Sequence, residues 1–249
     1  MTREIEEAGY WNETYGQMTK GSLLYDKEPF LCGELEFIAR LKEGAGAGSV
    51  MSAGGGIDLI ALELAQCGSK VLCVDLSRRA AEATRSLAGE MGLADRIEFQ
   101  IGAAESLDLK DRFDMAYTHK SLHHMDVGKA VNKIHQSLKP GGKFFAMEPV
   151  CLSKRMRAIH KRLPFHPDYP VTPSERELDE EDLLFVQSRF SKVSFSYHGL
   201  ITRPSVAYFL GSRWFKKALL PLSRFDFWAL NRFLFLRGLS SHVLMEASK

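Results

Sequence analysis

The residues best suited to chemistry lie in two short stretches. In the first, Val50–Asp58, three adjacent glycines, Gly54, Gly55 and Gly56, separate an apolar run from a helical one. Glycines at such a junction let the backbone turn sharply and approach a ligand without interference from a Cβ. The start of the following helix offers unpaired N–H groups and the positive end of a dipole. Asp75 ends the next apolar run, 21 residues after Gly54. That is the separation at which an acid in a strand–helix–strand unit accepts hydrogen bonds from both ribose hydroxyls. A nicotinamide fingerprint fails because position 59 is Leu59, and no Gly-Lys-Ser/Thr follows to make a phosphate loop. An adenosine-type ligand remains. The second stretch holds His119, His123 and His124. Histidine is the side chain most often used as a general base. His119 and His123 are the catalytic candidates and His124 a substrate contact, against the plainer reading that one of the adjacent pair only packs.

These groups can act together only if the fold joins them. Ser49–Ala53, Lys70–Asp75, Arg96–Ile101, Phe113–Thr118 and Gly142–Glu148 read as strands. Between them, Leu59–Gln66, the stretch capped by Ser77, and Asp126–Leu138 read as helices. In the last, Val127, Ala130, Val131, Ile134 and Leu138 share one face. Ahead of them, Phe30–Leu41 is expected to form a helix burying Leu31, Leu35, Ile38 and Leu41, broken by the glycine-rich Glu43–Gly48. Such alternation implies an α/β fold with a parallel sheet covered on both faces. Beyond it come a helix at Asp179–Phe190, a strand at Lys192–Tyr197, two aromatic-rich helices over 204–236 and a closing strand at Ser240–Glu246.

With 45% hydrophobic and 26% charged residues, the 249-residue chain suits one globular domain. No apolar run approaches the roughly 18 residues of a spanning helix, and Met1–Glu7 is polar, without the pattern of a secretory signal. Cys32, Cys67, Cys73 and Cys151 show no CxxC spacing. Reduced thiols in a cytoplasmic protein are expected, with no metal site.

The net charge of +2 is unevenly spread: 151–166 holds five Lys/Arg and no acid, and 199–239 seven against one acid. That second stretch also carries nine of the 26 aromatic residues, among them Trp214, Phe225, Phe227, Trp228, Phe233 and Phe235. It reads as an apolar substrate chamber with a basic exterior, as an amphipathic surface resting on anionic lipid, or as core-packing helices with a solvated side. Nucleic acid is not expected, because no binding module accompanies the basic residues.

In order along the chain, Val50–Asp58, Val71–Ser77, Ile101–Leu107, Phe113-Asp114 with Leu122–Asp126, and Leu138–Gly142 with Phe144–Glu148 resemble the successive motifs of class I S-adenosylmethionine-dependent methyltransferases. The resemblance covers 49–149. It implies a Rossmann-like seven-stranded, mostly parallel sheet whose last strand is antiparallel, inserted between the fifth and sixth after a helical lid. It implies one domain over 1–249: a helical cap (1–48), a cofactor core (49–149) and a substrate half (150–249).

S-adenosylmethionine would then lie against Ala53, Gly54, Gly55 and Gly56, with Asp75 on the ribose and Leu76 on the adenine. Ala103 and Ala104 would edge the adenine, and Thr118 and His119 would lie by the sulfonium. Tyr10, Trp11 and Tyr15 would close over the cofactor. Tyr15, His124, Trp214 and Phe227 would meet a small or lipophilic substrate of a biosynthetic reaction. The family usually has an acid, orienting the cofactor's amino group, where this chain has Ser52, and a glycine where it has Asp58. Its adenine-contacting Asp is replaced by Ala103. A methyltransferase-like protein that binds a ligand without methyl transfer, or runs another reaction in the pocket, is the alternative.

Asp75→Ala should weaken S-adenosylhomocysteine binding by about 1.5–3 kcal/mol, the worth of a charged hydrogen-bond acceptor. Calorimetry finding unchanged affinity in a folded variant would remove Asp75 from the cofactor site.

Overall fold

The structure, a computed structural model, describes residues 3–17, 32–160, 172, 175–202 and 213–249. Seven strands form one sheet in the order β3-β2-β1-β4-β5-β7-β6. They are β1 (Ser49–Ala53), β2 (Lys70–Asp75), β3 (Ile97–Ile101), β4 (Phe113–His119), β5 (Leu138–Pro149), β6 (Lys192–His198) and β7 (His242–Ser248). β1 pairs in parallel with β2 and β4, and β7 runs antiparallel between β5 and β6. The fold is therefore the Rossmann-like arrangement expected, with the last strand inserted.

Helices α1 (Arg3–Gln17), α2 (Cys32–Ala45), α3 (Leu59–Gln66), α4 (Arg78–Glu90), α5 (Val127–Ser137), α6 (Lys154–His160), α7 (Glu180–Arg189) and α8 (Arg213–Arg232) complete the described elements. One side of the sheet is packed by Phe37 and Leu41 of α2 and Ile60 and Leu64 of α3. The other is packed by Val127, Val131 and Ile134 of α5 with Leu183 and Val186 of α7. Each α/β unit begins with a side-chain cap: Asp58 accepts from the Ala61 N–H, Ser77 from Ala80 and Asp126 from Lys129. Such caps satisfy N–H groups that the first turn leaves unpaired.

Two expectations need correction. The first concerns α2, which does not break at Glu43 but continues to Ala45 and buries Phe37, Leu41 and Ala45, leaving Leu35 44% exposed. Spacing of four along the chain sets this face. At Gly44 the helix lies close to the sheet: a Cβ there would make an ordinary packing contact, 3.5 Å from the Phe145 ring. Leu31 and residues 203–212 lie outside the described residues. The second concerns the end of the aromatic-rich stretch, expected to be helical to 236: α8 stops at Arg232 and a 3-10 segment, Leu234–Leu239, follows, while the start of the two helices expected over 204–236 lies outside the described residues. α8 carries Pro221 internally.

At the sheet edge, Asn231 of α8 acts as a surrogate strand for β6. Its Oδ1 accepts from the Tyr197 N–H at 3.0 Å, and its Nδ2 donates to the Tyr197 carbonyl at 2.9 Å. An edge strand covered in this way is shielded from pairing with another chain.

Ile134 is fully buried against the sheet. Ile134→Ala should cost about 2–5 kcal/mol, the usual range for emptying a packed core position. A denaturant midpoint unchanged from the parent's would show that α5 is not held by this face.

Candidate cofactor and catalytic site

A cavity of about 130 Å³ opens at the C-terminal ends of β1, β2 and β4. Its wall includes Gly54, Gly55, Asp75, Leu76, Ala103, Ala104 and His119, all anticipated from the sequence. Gly54 and Gly56 have φ of +74° and +57°. A Cβ on Gly54 would strike Ser121 and Met125, and one on Gly56 the Tyr15 hydroxyl. Glycine is therefore required there by backbone conformation and by space alike. Ala53, Gly56 and Thr118 stand behind the wall rather than in it. The Ala53 carbonyl accepts from Ser121 Oγ at 2.9 Å.

Asp75 is held by the glycine turn it faces. One carboxylate oxygen accepts from the Gly56 N–H at 2.8 Å, the other from Ser77 at 2.8 Å. Each oxygen keeps a further lone pair for a ligand hydroxyl. Burial raises the Asp75 pKa, opposed by these N–H groups.

The departures at 52 and 58 turn out to be coupled. Asp58 is buried beneath the glycine turn, and a Cβ on Gly55 would meet its Oδ2. The Ser52 hydroxyl donates to Asp58 Oδ2, Tyr117 OH donates at 2.9 Å, and the Ala61 N–H donates to Oδ1 at 2.8 Å. The position at the end of β1 is thus occupied by Ser52, and an acid stands instead at the start of α3, beneath Gly55 and outside the cavity lining. Burial lifts its pKa to about 6 against the pull of Ser52, Ala61 and Tyr117.

α1 covers the opening. Arg3, Glu4, Glu7, Trp11 and Tyr15 all line the cavity. Trp11 stacks on Tyr15 at 5.5 Å and meets His124 edge-on at 5.4 Å. Asn12 fixes the helix to α4, its Oδ1 accepting from Ser77 Oγ at 2.9 Å. The Tyr15 phenol pKa is raised by burial and by Asp75 and Asp58. Of the three N-terminal aromatics singled out in the sequence, Trp11 and Tyr15 line the cavity and Tyr10 does not; Arg3, Glu4 and Glu7 carried no signal.

The three histidines after β4 have separate fates. His119 lines the cavity, stacks on Phe37 at 5.5 Å, and lies 4.0 Å from Glu34. Burial, then Lys120, lowers its pKa to about 4, so the imidazole is neutral. Lys120, with φ of +51°, pairs with Glu34 and donates its N–H to the Met147 carbonyl at 2.8 Å. His123 is 6% exposed and does not line the cavity. Burial alone would lower its pKa, but Glu148 at 2.8 Å and Glu175 at 3.7 Å outweigh it and raise the value to about 9. His124 lines the cavity, with Nδ1 3.1 Å from Thr172 Oγ1. Ligand atoms of His123, His124 and Glu175 lie within 4.8 Å of one another.

Two further imidazoles share the sheet face of His119. His119 is in register with Met147, Pro149 with His242, and His242 with His198. Directly opposed residues, and residues two apart on a strand, point to the same side. Burial keeps His198 near pKa 4 and His242 well below its usual value. Among the described residues neither ring nitrogen of His198 has a hydrogen-bond partner, and Phe227 of α8 stacks on it at 5.1 Å. Neither histidine belongs to a sequence motif; only strand register brings them beside His119. Phe227 does not line the cavity itself, and the Trp214 side chain lies outside the described residues.

The comparisons with known proteins agree with this geometry. Residues 51–146 match the family described as "Methyltransferase domain". An uncharacterized methyltransferase of Bacillus subtilis, YcgJ, is 31% identical over 141 residues, 55% of this chain and 54% of that protein. The sterol 4-C-methyltransferase strm-1 of Caenorhabditis elegans is 31% identical over 97 residues, 38% of this chain and 29% of its own. The chain thus spans about half the length of the first of these relatives and under a third of the second. Among solved structures, geranyl diphosphate C-methyltransferase from Streptomyces coelicolor A3(2), in complex with Mg2+, geranyl diphosphate and S-adenosyl-L-homocysteine, superposes with TM-score 0.66 at 15% identity. That superposition covers 100% of this chain and 98% of the other.

Asp58 binds a proton more tightly folded, with pKa about 6, than at its ordinary 3.8. Its contribution to stability is therefore full below the ordinary value and lost as pH rises through about 6. Asp58→Asn should accordingly gain on the parent by up to about 3 kcal/mol between pH 4 and pH 8. Thermal unfolding curves whose separation ignores pH would refute a buried, titrating Asp58. The glycine cradle and the strand-end acid thus both lie within residues 51–146, the stretch that matches the family described as "Methyltransferase domain".

Proposed function

We propose that the protein transfers a methyl group from S-adenosylmethionine to a small, lipophilic molecule in a biosynthetic reaction of the cytoplasm. The observation that carries the reading is the convergence of the glycine turn, Asp75 and the neutral His119 on one cavity. Gly54 and Gly55 would hold the methionine part, Asp75 the ribose, and Leu76, Ala103 and Ala104 the adenine. The buried Asp58 supplies negative charge behind the turn, where the cofactor's ammonium would lie. The bound cofactor supplies an electrophilic methyl on a sulfonium, and the protein's main task is to hold the acceptor at near-attack distance.

His119 is assigned as the base. Its ring is neutral: burial and Lys120 lower its proton affinity, and Glu34, 4.0 Å from Nε2, restores part of it. His123 is left out of proton transfer because it is already protonated and turned from the cavity. Lipophilic substrate is supported by the apolar and aromatic surroundings of the imidazole row, Phe37, Met147 and Phe227. Relatives named for geranyl diphosphate and sterol methylation point the same way. The free thiols of Cys67, Cys73 and Cys151 fit a reducing compartment.

His119→Ala should lower turnover by about 10²–10⁴-fold, the usual contribution of a positioned base, with S-adenosylhomocysteine affinity nearly intact. Full turnover in this variant would leave catalysis to positioning alone. A parent protein that binds neither S-adenosylmethionine nor S-adenosylhomocysteine in calorimetry would overturn the function itself.

A further inference from the structure

The outer face of α8 and the segment after it present an aromatic surface that no described element covers. Pro221, Arg224, Phe225, Trp228 and Arg232 are exposed at spacings of three and four, which is one stripe of a helix. Ser223, Asp226, Ala229 and Leu230 are buried on the opposite side. The stripe continues into Phe233, Leu234 and Phe235, exposed by 38%, 68% and 79%. Ring contacts join Phe225 to Trp228 at 5.8 Å, Trp228 to Phe233 at 5.6 Å and Phe233 to Phe235 at 6.0 Å. The patch is therefore continuous, not a scatter of single apolar residues, and continuous patches of this kind mark contact surfaces.

Its charge is of one sign. Between 221 and 239 the basic residues are Arg224, Arg232 and Arg237, and the single acid is Asp226. Asp226 is fully buried, and its Oδ2 accepts from the N–H groups of Leu200, Ile201 and Thr202 at 2.7–3.0 Å. It offers nothing to the surface. Gly238 abuts Ser153, so α6 starts beside the same segment and adds the exposed Lys154; Arg157 there is paired with Asp179 at 3.6 Å.

We infer that this face of α8 and the segment to Leu239 rests on an anionic lipid bilayer, the aromatic rings in the interface and the arginines among the headgroups. Phe, Leu and Trp flanked by arginine are what such an interface retains. No described helix is long and apolar enough to cross a membrane, so the contact is peripheral. A second copy of the chain would set Arg224 and Arg232 against their own kind across a two-fold axis with no exposed acid in the patch to answer them. The inference goes beyond the methyltransferase reading and does not require it.

Co-sedimentation with vesicles tests it, comparing phosphatidylcholine alone with phosphatidylcholine containing phosphatidylglycerol, at low and high salt. The full chain should pellet with the anionic vesicles, less at high salt, and Trp fluorescence should shift to the blue. Each of Arg224→Gln and Arg232→Gln should weaken binding about fivefold, from about 1 kcal/mol per basic residue near the surface. The double variant Trp228→Glu, Phe235→Glu should lose binding while unfolding at the parent's temperature, because both side chains are already exposed. Equal pelleting of that folded variant, or no pelleting of the parent with anionic vesicles, would overturn the inference. So would a dimer in sedimentation velocity that the double variant dissolves, if neither protein binds vesicles; a monomeric parent indifferent to lipid would instead indicate a protein partner.

Discussion

The reversal of strand order at β1 is the constraint on which the site depends. From β1 the chain builds outward through β2 and β3, then returns to lay β4 and β5 on the other side. The connections leaving β1 and β4 therefore cover opposite faces, and a crevice opens between their C-terminal ends. The glycine turn, Asp75 and His119 come from three different strands and meet only because each strand ends at that level. Helix caps set where each connection begins, and the two cores hold the strands in register.

Burial distributes charge around this crevice in a consistent way. His119, His198 and His242 are all kept neutral, chiefly by burial. His123, a few residues from His119, holds its proton because two carboxylates face it. One imidazole is thus left able to accept a proton while its neighbour anchors β5 through Glu148, which also accepts from the Ser121 and Leu122 N–H groups at 3.2 and 3.0 Å. Asp58 shows the cost of placing charge indoors. It is bound by three donors and still titrates near 6, because hydrogen bonds only partly replace lost water.

Most of the sheet was legible because its strands are short apolar runs with turn or cap residues at their ends. The helix Val127–Ser137 is legible down to its buried face, since Val127, Ala130, Val131 and Ile134 recur at helical spacing, whereas Leu138, expected on the same face, opens β5. α2 was misread for the same kind of reason: Leu35 fits the periodicity but points to solvent, and Phe37 sets the true face. The glycine turn and Asp75 could be found because local backbone demands fix them in sequence. The imidazole row could not, since His198 and His242 meet His119 only through the antiparallel insertion of β7. Nor could the exchange between Ser52 and Asp58 be read as a single feature until Tyr117 and the two side chains were seen to share one hydrogen-bonded cluster.

Lys120 couples two properties that a protein would ordinarily adjust apart. A left-handed backbone costs a side-chain-bearing residue about 1–2 kcal/mol relative to its right-handed form, a penalty that glycine escapes. Its ammonium also depresses the proton affinity of His119, while Glu34 and Glu148 raise it. A glycine at this position would relax the turn and, in the same stroke, deprive Glu34 of its ammonium partner beside the imidazole, while Glu148 would keep His123. Conformational ease and basicity would then rise together. Variation at this one position would therefore act on both, so a sturdier turn here would also retune the proton affinity of the imidazole that lines the cavity.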